Sequence, residues 1–364
     1  MAGPKIKTLL IEDSGLMRII LSDLLRKDDN IEVVATAANG FDGVEKVKML
    51  KPHVVITDMN MPQYDGLYVV QQLMKDLPMP IILLSSLDRT DPKIFDALKE
   101  GAFDFVDKPH EKEVLDGYPQ LTRVVREASI ADYLKLNQWI KGSNTFEHAF
   151  ESQLNYDIIV IGASTGGPSA VESIVNNLPT NLAVPVVIAQ HMPERFIESF
   201  ASRLNQSTGF KVSVAQQGES LVCRHIYLAP GTTNMRIVNS GSGPEVQYII
   251  DSYKEFNHPS IDCLFESVAT TYGRRAVGVI LTGMGRDGSK GLSKMRKAGA
   301  LTLVQDEFSS IVYGMPKAAL ESGAAPEVAT WTFNVTPGVY RAFAALPGGG
   351  LVPGASPTLT VVSR

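Results

Sequence analysis

The sequence predicts two successive α/β units, each built on a doubly wound sheet of mainly parallel strands, the second unit larger than the first. Three observations carry that expectation. The chain has 364 residues, and at roughly 150 residues per domain that length suggests two domains, each long enough to bury its own core. Short β-branched runs alternate with amphipathic helical stretches up to about residue 128, and the same rhythm resumes near residue 157. Between them, residues 132–152 carry Trp139, Lys141-Gly142 and His148 without a strong strand signal, and read as a partly helical linker.

In the first unit, residues 7–11, 31–35, 53–57, 81–85 and 104–106 are short runs rich in Ile, Val and Thr and read as strands. Residues 16–26, 41–50, 66–77 and 92–101 show helical spacing of apolar side chains, and helical residues resume near Glu111. Five strands and five helices in strict alternation make a five-stranded parallel sheet. In the second unit, 157–162, 185–190, 212–215, 226–228, 246–250, 276–282 and 301–305 read as strands. Residues 168–177, 194–205, 260–272 and 288–298 read as the helices between them. After Ala345 the segment L-P-G-G-G-L-V-P-G-A-S-P has no core-forming pattern and reads as a mobile tail.

With 44% hydrophobic residues, wholesale disorder is excluded. Lys and Arg number 34 against 39 Asp and Glu, with no dense basic block, which argues against a general nucleic-acid binder. Two cysteines, Cys223 and Cys263, make neither a disulfide scaffold nor a metal site, and are expected to be small core residues in a reducing compartment. The longest apolar runs, such as 183–189, are far shorter than the roughly 20 residues that span a bilayer. The N-terminus lacks a signal-peptide apolar region. A cytoplasmic protein is expected.

In an open parallel sheet, ligands bind at the carboxyl ends of the strands. Glu12 and Asp13 close the first strand, Asp58 the third and Ser85 the fourth, and Lys108 follows the fifth. Three carboxylates gathered there invite a hard divalent cation, expected to be Mg²⁺. Asp58 is placed to attack a phosphoryl group, Lys108 and the Ser85 hydroxyl to hold its oxygens, and the backbone carbonyl of Asn60 to add a metal ligand. The runs I-E-D-S-G-L-M-R, T-D-M-N-M-P-Q-Y-D-G, Ser85-Ser86 and F-V-D-K-P resemble a two-component receiver domain, over about a third of the chain. That resemblance implies Asp58 as phosphoacceptor, Glu12 and Asp13 as the metal-side acids and Lys108 as the phosphate-contacting lysine. It also makes Phe105 a switch aromatic that answers Ser85, and a histidine kinase the phosphodonor. Glu at position 12, where Asp is more frequent, suggests contact with the metal through water.

The second unit opens with I-G-A-S-T-G-G-P, placing Ser164 between a buried strand and a helix N-terminus, where free N–H groups favour developing negative charge. By itself the segment fits a nucleophilic serine, a dinucleotide cradle or a plain tight turn. His191 ends the next strand in V-I-A-Q-H-M-P, and Asp287 lies in the glycine-rich loop T-G-M-G-R-D-G-S-K-G after another buried strand. Together they offer nucleophile, base and orienting acid from three strand ends. Candidate oxyanion donors are the backbone N–H groups of Thr165 and Met284. The dinucleotide reading is weakened because Ser164 replaces the second glycine of the fingerprint and the following strand ends in Gln190-His191 instead of an acid.

I-G-A-S-T-G-G-P, Q-H-M-P, H-P-S-I-D-C-L-F, L-T-G-M-G-R-D-G and Q-D-E-F-S-S-I-V-Y-G-M-P resemble the catalytic domain of the chemotaxis methylesterase family, CheB. With the receiver in front, the resemblance covers nearly the whole chain apart from the linker and the tail. It implies Ser164, His191 and Asp287 as a catalytic triad, and γ-glutamyl methyl esters on methylated chemoreceptors as substrate, with methanol released and receptor glutamines also deamidated. It implies no cofactor for ester hydrolysis and contact with a membrane only through receptors. The domains are then expected at 1–128 (receiver), 129–152 (linker), 153–345 (methylesterase) and 346–364 (tail). The fusion suggests that the unphosphorylated receiver covers the Ser164 cleft and that phosphorylation weakens that cover.

Two other classes compete. A transcription regulator predicts a helix-turn-helix output where the second half shows an α/β series, and a receptor-binding scaffold needs no nucleophile. His258 is expected to be structural or solvated, Glu307 either to meet substrate or to cap a helix, and His53, His110, His148 and His225 to be exposed.

Overall fold

The computed structural model describes residues 5–85, 93–109, 118–131, 149–151, 156–179, 181–241, 243–249, 253, 258–325, 330–333, 340–344 and 358–360. The chain divides into two compact units, Met1–Asn137 and Gln138–Arg364.

The first unit runs β1 (Ile6–Ile11), α1 (Gly15–Arg26), β2 (Ile31–Ala37), α2 (Gly40–Leu50), β3 (Val54–Asp58), α3 (Gly66–Asp76), β4 (Ile81–Ser85), α4 (Lys93–Lys99), β5 (Asp104–Asp107) and α5 (Pro119–Ser129). Its five strands lie in the order β2-β1-β3-β4-β5, every pair parallel, as expected. Parallel crossovers are right-handed, so a strand order that reverses after β2 puts helices on both faces. β3 and β4 are buried at every residue, and therefore read as continuous apolar runs instead of alternating ones. The helices start where side chains take up their free N–H groups: Ser14 accepts from Met17, Asn39 from Asp42 and Asp65 from Tyr68. The reversal opens a crevice beyond the carboxyl ends of β1 and β3. Ser86, His110 and the expected helical start near Glu111 lie outside the described residues.

Helix α5 packs against β3, β4 and β5 and turns Glu127 inward. Glu127 is 2% exposed, and neither carboxylate oxygen has a hydrogen-bond partner among the described residues. Among the described residues, Arg123 Nε lies 3.7 Å from Glu127 Oε1. Burial pushes the Glu127 carboxyl up to about 7, helped by the nearby charge of Asp104 and opposed by Arg123. The folded state thus holds this proton more tightly than the unfolded chain does. The penalty is absent below the unfolded value, grows as pH rises toward 7 and is complete above it, on the order of 3 kcal/mol. Glu127→Met is therefore expected to raise the melting temperature of the first unit at pH 8 by more than at pH 5, read by calorimetry of the full chain. Equal shifts at both pH values would contradict the assignment.

The second unit contains β6 (Ala149–Glu151), β7 (Ile158–Ala163), α6 (Gly167–Asn176), β8 (Val186–Gln190), α7 (Glu194–Ser207), β9 (Lys211–Val214), β10 (His225–Leu228), β11 (Asn234–Ser240) and β12 (Gly243–Ile249). It continues with α8 (Ile261–Tyr272), β13 (Ala276–Ile280), α9 (Ser289–Lys297), β14 (Leu301–Gln305), α10 (Met315–Glu321), β15 (Thr330–Phe333), β16 (Tyr340–Ala344) and β17 (Thr358–Thr360). Six strands, in the order β14-β13-β7-β8-β10-β9, form a parallel sheet, to which β16 and β15 add antiparallel beyond β14. Val160, Val187 and Tyr227 of the sheet pack with Leu264, Phe265, Leu292 and Met295 of α8 and α9 in one buried cluster. From β7 the chain winds one way to β8 and later the other way to β13, so the crevice of this sheet opens beside the end of β7.

Several expectations need correction. The strand expected at 246–250 is not part of the parallel series: β12 pairs antiparallel with β11, from Asn234↔Ile249 to Ser240↔Gly243, as a separate hairpin that packs on α8. Helix α10 and strands β15 and β16 follow the last element expected from sequence. β17, in the expected tail, pairs in parallel with β6, in the expected linker, so these pieces satisfy each other's backbone. The rest of the linker, with Trp139 and His148, and the rest of the tail lie outside the described residues. Cys263 is buried, and burial pushes its thiol up to about 12, whereas Cys223 is exposed. His225 is buried, stacked on Tyr227 at 3.9 Å with Ser213 Oγ 2.7 Å from its Nε2. Its place on a strand buried at every residue overrides its polarity. Among the described residues no helix is long and apolar enough to cross a membrane.

Candidate functional site

In the first unit, the strand ends bring Glu12, Asp13, Asp58, Ser85 and Lys108 to one crevice. Carboxylate oxygens of Glu12, Asp13 and Asp58 lie within 4.8 Å of one another. Lys108 Nζ stands 2.8 Å from both Asp58 Oδ2 and Glu12 Oε2. Glu12 and Asp58 are buried and Asp13 is exposed. Burial pushes the Glu12 and Asp58 carboxyls above the usual range against the pull of Lys108. Burial also works against the Lys108 ammonium, but its two carboxylate partners outweigh it and its pKa is raised. Glu12 Oε1 accepts the Ser14 N–H at 3.2 Å, so both its oxygens are engaged. The Asn60 N–H donates to Asp58 Oδ1 at 3.2 Å, and the Lys108 N–H to the Ser85 carbonyl at 2.8 Å. Ser85 is buried at the end of β4 and Phe105 is buried within β5. Three carboxylates against one ammonium form a hard, net-negative oxygen site of the kind that suits Mg²⁺.

In the second unit, register sets two residues side by side. β7 pairs with β8 up to Ala163↔Gln190, and the ladder runs one step further, with the His191 N–H donating to the Ala163 carbonyl at 2.9 Å. On the other side the Ser164 N–H donates to the Thr282 carbonyl beyond β13 at 3.1 Å. Ser164 Oγ then lies 3.1 Å from His191 Nδ1, and His191 Nε2 lies 2.9 Å from Asp287 Oδ2. A carboxylate only accepts, so Nε2 carries the ring proton and Nδ1 turns its lone pair to the serine. Asp287 is 2% exposed. Its carboxylate also accepts the N–H groups of Ile261 (2.8 Å), Asp262 (2.9 Å) and Gly288 (2.9 Å) and the Ser260 hydroxyl (3.2 Å). Two of these amides open α8, so a helix N-terminus answers the buried negative charge.

The family model described as CheB methylesterase matches residues 159–332, and that described as response regulator receiver domain matches residues 8–118. A protein-glutamate methylesterase/protein-glutamine glutaminase of Sulfurimonas denitrificans is 37% identical over 330 residues, covering 88% of this chain and 93% of the relative. One from Geobacter metallireducens is 38% identical over 346 residues, covering 90% and 94%. The chain belongs to the CheB family. The solved catalytic domain of Thermotoga maritima CheB methylesterase is 34% identical, with a TM-score of 0.46, and covers 48% of this chain and 92% of that one.

Around the Ser-His-Asp line of this CheB-family chain stand residues that sequence reasoning did not single out. Gln190, 1% exposed, donates from Nε2 to the carbonyls of Ser164 and His191, 3.0 Å each, tying the two main chains together. Thr282 Oγ1 donates to the Thr165 carbonyl at 3.0 Å, and Gln305 Oε1 accepts the Thr282 N–H at 2.7 Å. Asn234 Oδ1 accepts the Ser260 N–H at 2.7 Å and stands 3.1 Å from His258 Nδ1, which gives His258 a structural partner. A faint signal existed for two of them: Gln190 is a polar end to an apolar strand, and Ser260 is a capping residue before an apolar helix.

Gly283 presses on Ser164: a Cβ there would lie 2.7 Å from Ser164 Cβ, which places the next residue, Met284, beside the site. The N–H groups of Thr165 and Met284 take part in no hydrogen bond among the described residues. Gly288, at φ +89°, starts α9 in a conformation that favours glycine, and Ile261 leaves no room for a Cβ there. Glu307 is exposed in a turn and caps no helix. His53 is exposed, with Nδ1 accepting the Lys7 N–H.

Proposed function

We propose that this chain is a cytoplasmic, phosphorylation-regulated hydrolase that removes methyl groups from glutamate esters on chemoreceptors, and deamidates receptor glutamines, with Ser164, His191 and Asp287 as its triad. The hydrogen-bonded line from Ser164 Oγ through His191 to Asp287 carries the reading. His191 Nδ1 takes the Ser164 proton as Oγ bonds to the ester carbonyl carbon, and Asp287 steadies the imidazolium. The N–H groups of Thr165 and Met284 receive the oxyanion. His191 returns the proton to the departing methoxide, so methanol leaves and an acyl-serine remains. Water, activated by the same imidazole, then cleaves the acyl-serine to glutamate. With a glutamine substrate the leaving group is ammonia and the other steps are unchanged.

In the receiver, spanning residues 1–128, Asp58 attacks the phosphoryl group delivered by a histidine kinase. Lys108 exchanges a carboxylate partner for a phosphoryl oxygen, the Ser85 hydroxyl donates to another, and Phe105 repacks behind Ser85. Asp13, Asp58 and the Asn60 carbonyl are the residues to hold Mg²⁺, with Glu12 behind them through water. When bound, that ion supplies neutralisation of phosphoryl charge. Residues 129–152 link this domain to the methylesterase domain at 153–345, and 346–364 form a tail.

The test is methanol release from methylated receptor membranes with and without a small-molecule phosphodonor. The donor is expected to raise the rate for the unaltered chain and to leave Asp58→Asn at its basal rate. No release at all would contradict the activity, and an unchanged rate in an active preparation would contradict the regulation.

A further inference from the structure

The second unit carries a groove of about 730 Å³ along α9, flanked by α10. Four cations line it, Arg286, Lys290, Lys294 and Lys297, against two acids, Glu266 and Glu321. By formal charge the lining counts four cations against two acids, so the wall is net positive even though Lys294 meets Glu266 at 2.7 Å. Lys290, Lys294 and Lys297 recur at helical spacing on one face of α9. Helix stability does not account for the whole row. The helix dipole favours cations in the last turn, which suits Lys294 and Lys297, but disfavours Lys290 in the first turn and Arg286 just ahead of it. The row also begins inside the catalytic loop, because Arg286 directly precedes Asp287, and α9 carries it away over roughly 12 Å.

The proposed reaction leaves a new carboxylate at each ester it cleaves, so a polypeptide with several such sites grows more acidic as it is processed. We infer that this groove holds an acidic stretch of the protein substrate beside the ester being cleaved, and so retains a partly hydrolysed polypeptide. The inference rests on the esterase reading and adds the feature that selects a polypeptide over a small free ester.

The test uses the full chain and a Lys290→Glu/Lys297→Glu variant, both outside the triad. The probes are a fluorescein-labelled glutamate-rich peptide, read by anisotropy, methylated receptor membranes and a small neutral ester. The unaltered chain is expected to bind the peptide, and to bind it more weakly as salt rises from about 0.05 to 0.5 M. The variant is expected to bind it roughly tenfold more weakly at low salt and to show a raised KM on receptor membranes. Its rate on the small ester is expected to be unchanged, and Lys290→Gln/Lys297→Gln to fall between. Equal peptide affinity in variant and unaltered chain would overturn the groove alone, as would parallel losses on receptor and small ester. Peptide binding by an unaltered chain that releases no methanol would overturn the esterase reading, and the substrate assignment with it.

Discussion

Ser164→Ala is expected to abolish methanol release from methylated receptor membranes, lowering kcat by about four to six orders of magnitude. The size follows from the loss of the covalent route: without Oγ, His191 has no proton to take and no acyl-enzyme forms. Whatever rate remains comes from positioned water and the oxyanion donors. The fold is expected to stay intact, because the contacts that hold residue 164 are made by its main chain: its N–H to Thr282 and its carbonyl to Gln190. Binding to receptor membranes should persist, which separates an enzyme from a scaffold. Release within tenfold of the unaltered rate would contradict the triad.

Asp287→Asn is the second large effect, about 10⁴-fold in kcat. Asp287 Oδ2 serves His191 Nε2 and the Ile261 N–H, while Oδ1 serves Asp262, Gly288 and Ser260. An asparagine has one acceptor oxygen to divide between these two sets. If its NH₂ faces His191, the ring proton is driven to Nδ1 and the base toward Ser164 is lost. If its NH₂ faces the other side, it meets the N–H groups of Asp262 and Gly288 head-on. One orientation removes the base and both leave buried donors unpaired, so stability is also expected to fall, by roughly 1–3 kcal/mol. Kinetics and calorimetry on the same variant check both parts, and a near-normal kcat would contradict the role of Asp287.

What was legible in the sequence follows from how local each signal is. Strands β3, β4, β7, β8 and β13 are buried along their whole length, so their apolar runs announce themselves, and the polar residues that end them stand out. That is why Asp58, Ser85, Ser164 and His191 could be placed on strand ends, and why the residues of each set were found together. The β11–β12 hairpin escaped because N-M-R-I-V-N-S mixes polar and apolar positions around a serine-glycine turn, and only β12 resembled a buried run. Strands β15, β16 and β17 make sense only with partners remote in sequence. Three of the donors to Asp287, from Ser260, Ile261 and Asp262, lie 25 to 27 positions upstream at the start of α8. Nothing in a local pattern says which loop a helix N-terminus will face. The same holds for His225 and Glu127, which are buried although their residue types read as exposed.

The most direct measurement of the central claim is rapid-quench mass spectrometry of the full chain during turnover of an activated γ-glutamyl ester. The account predicts an acyl adduct confined to the peptide carrying Ser164, formed at the rate of the first product burst and absent from Ser164→Ala. Turnover at the normal rate with an adduct on another residue, or with Ser164→Ala still releasing product, would contradict it.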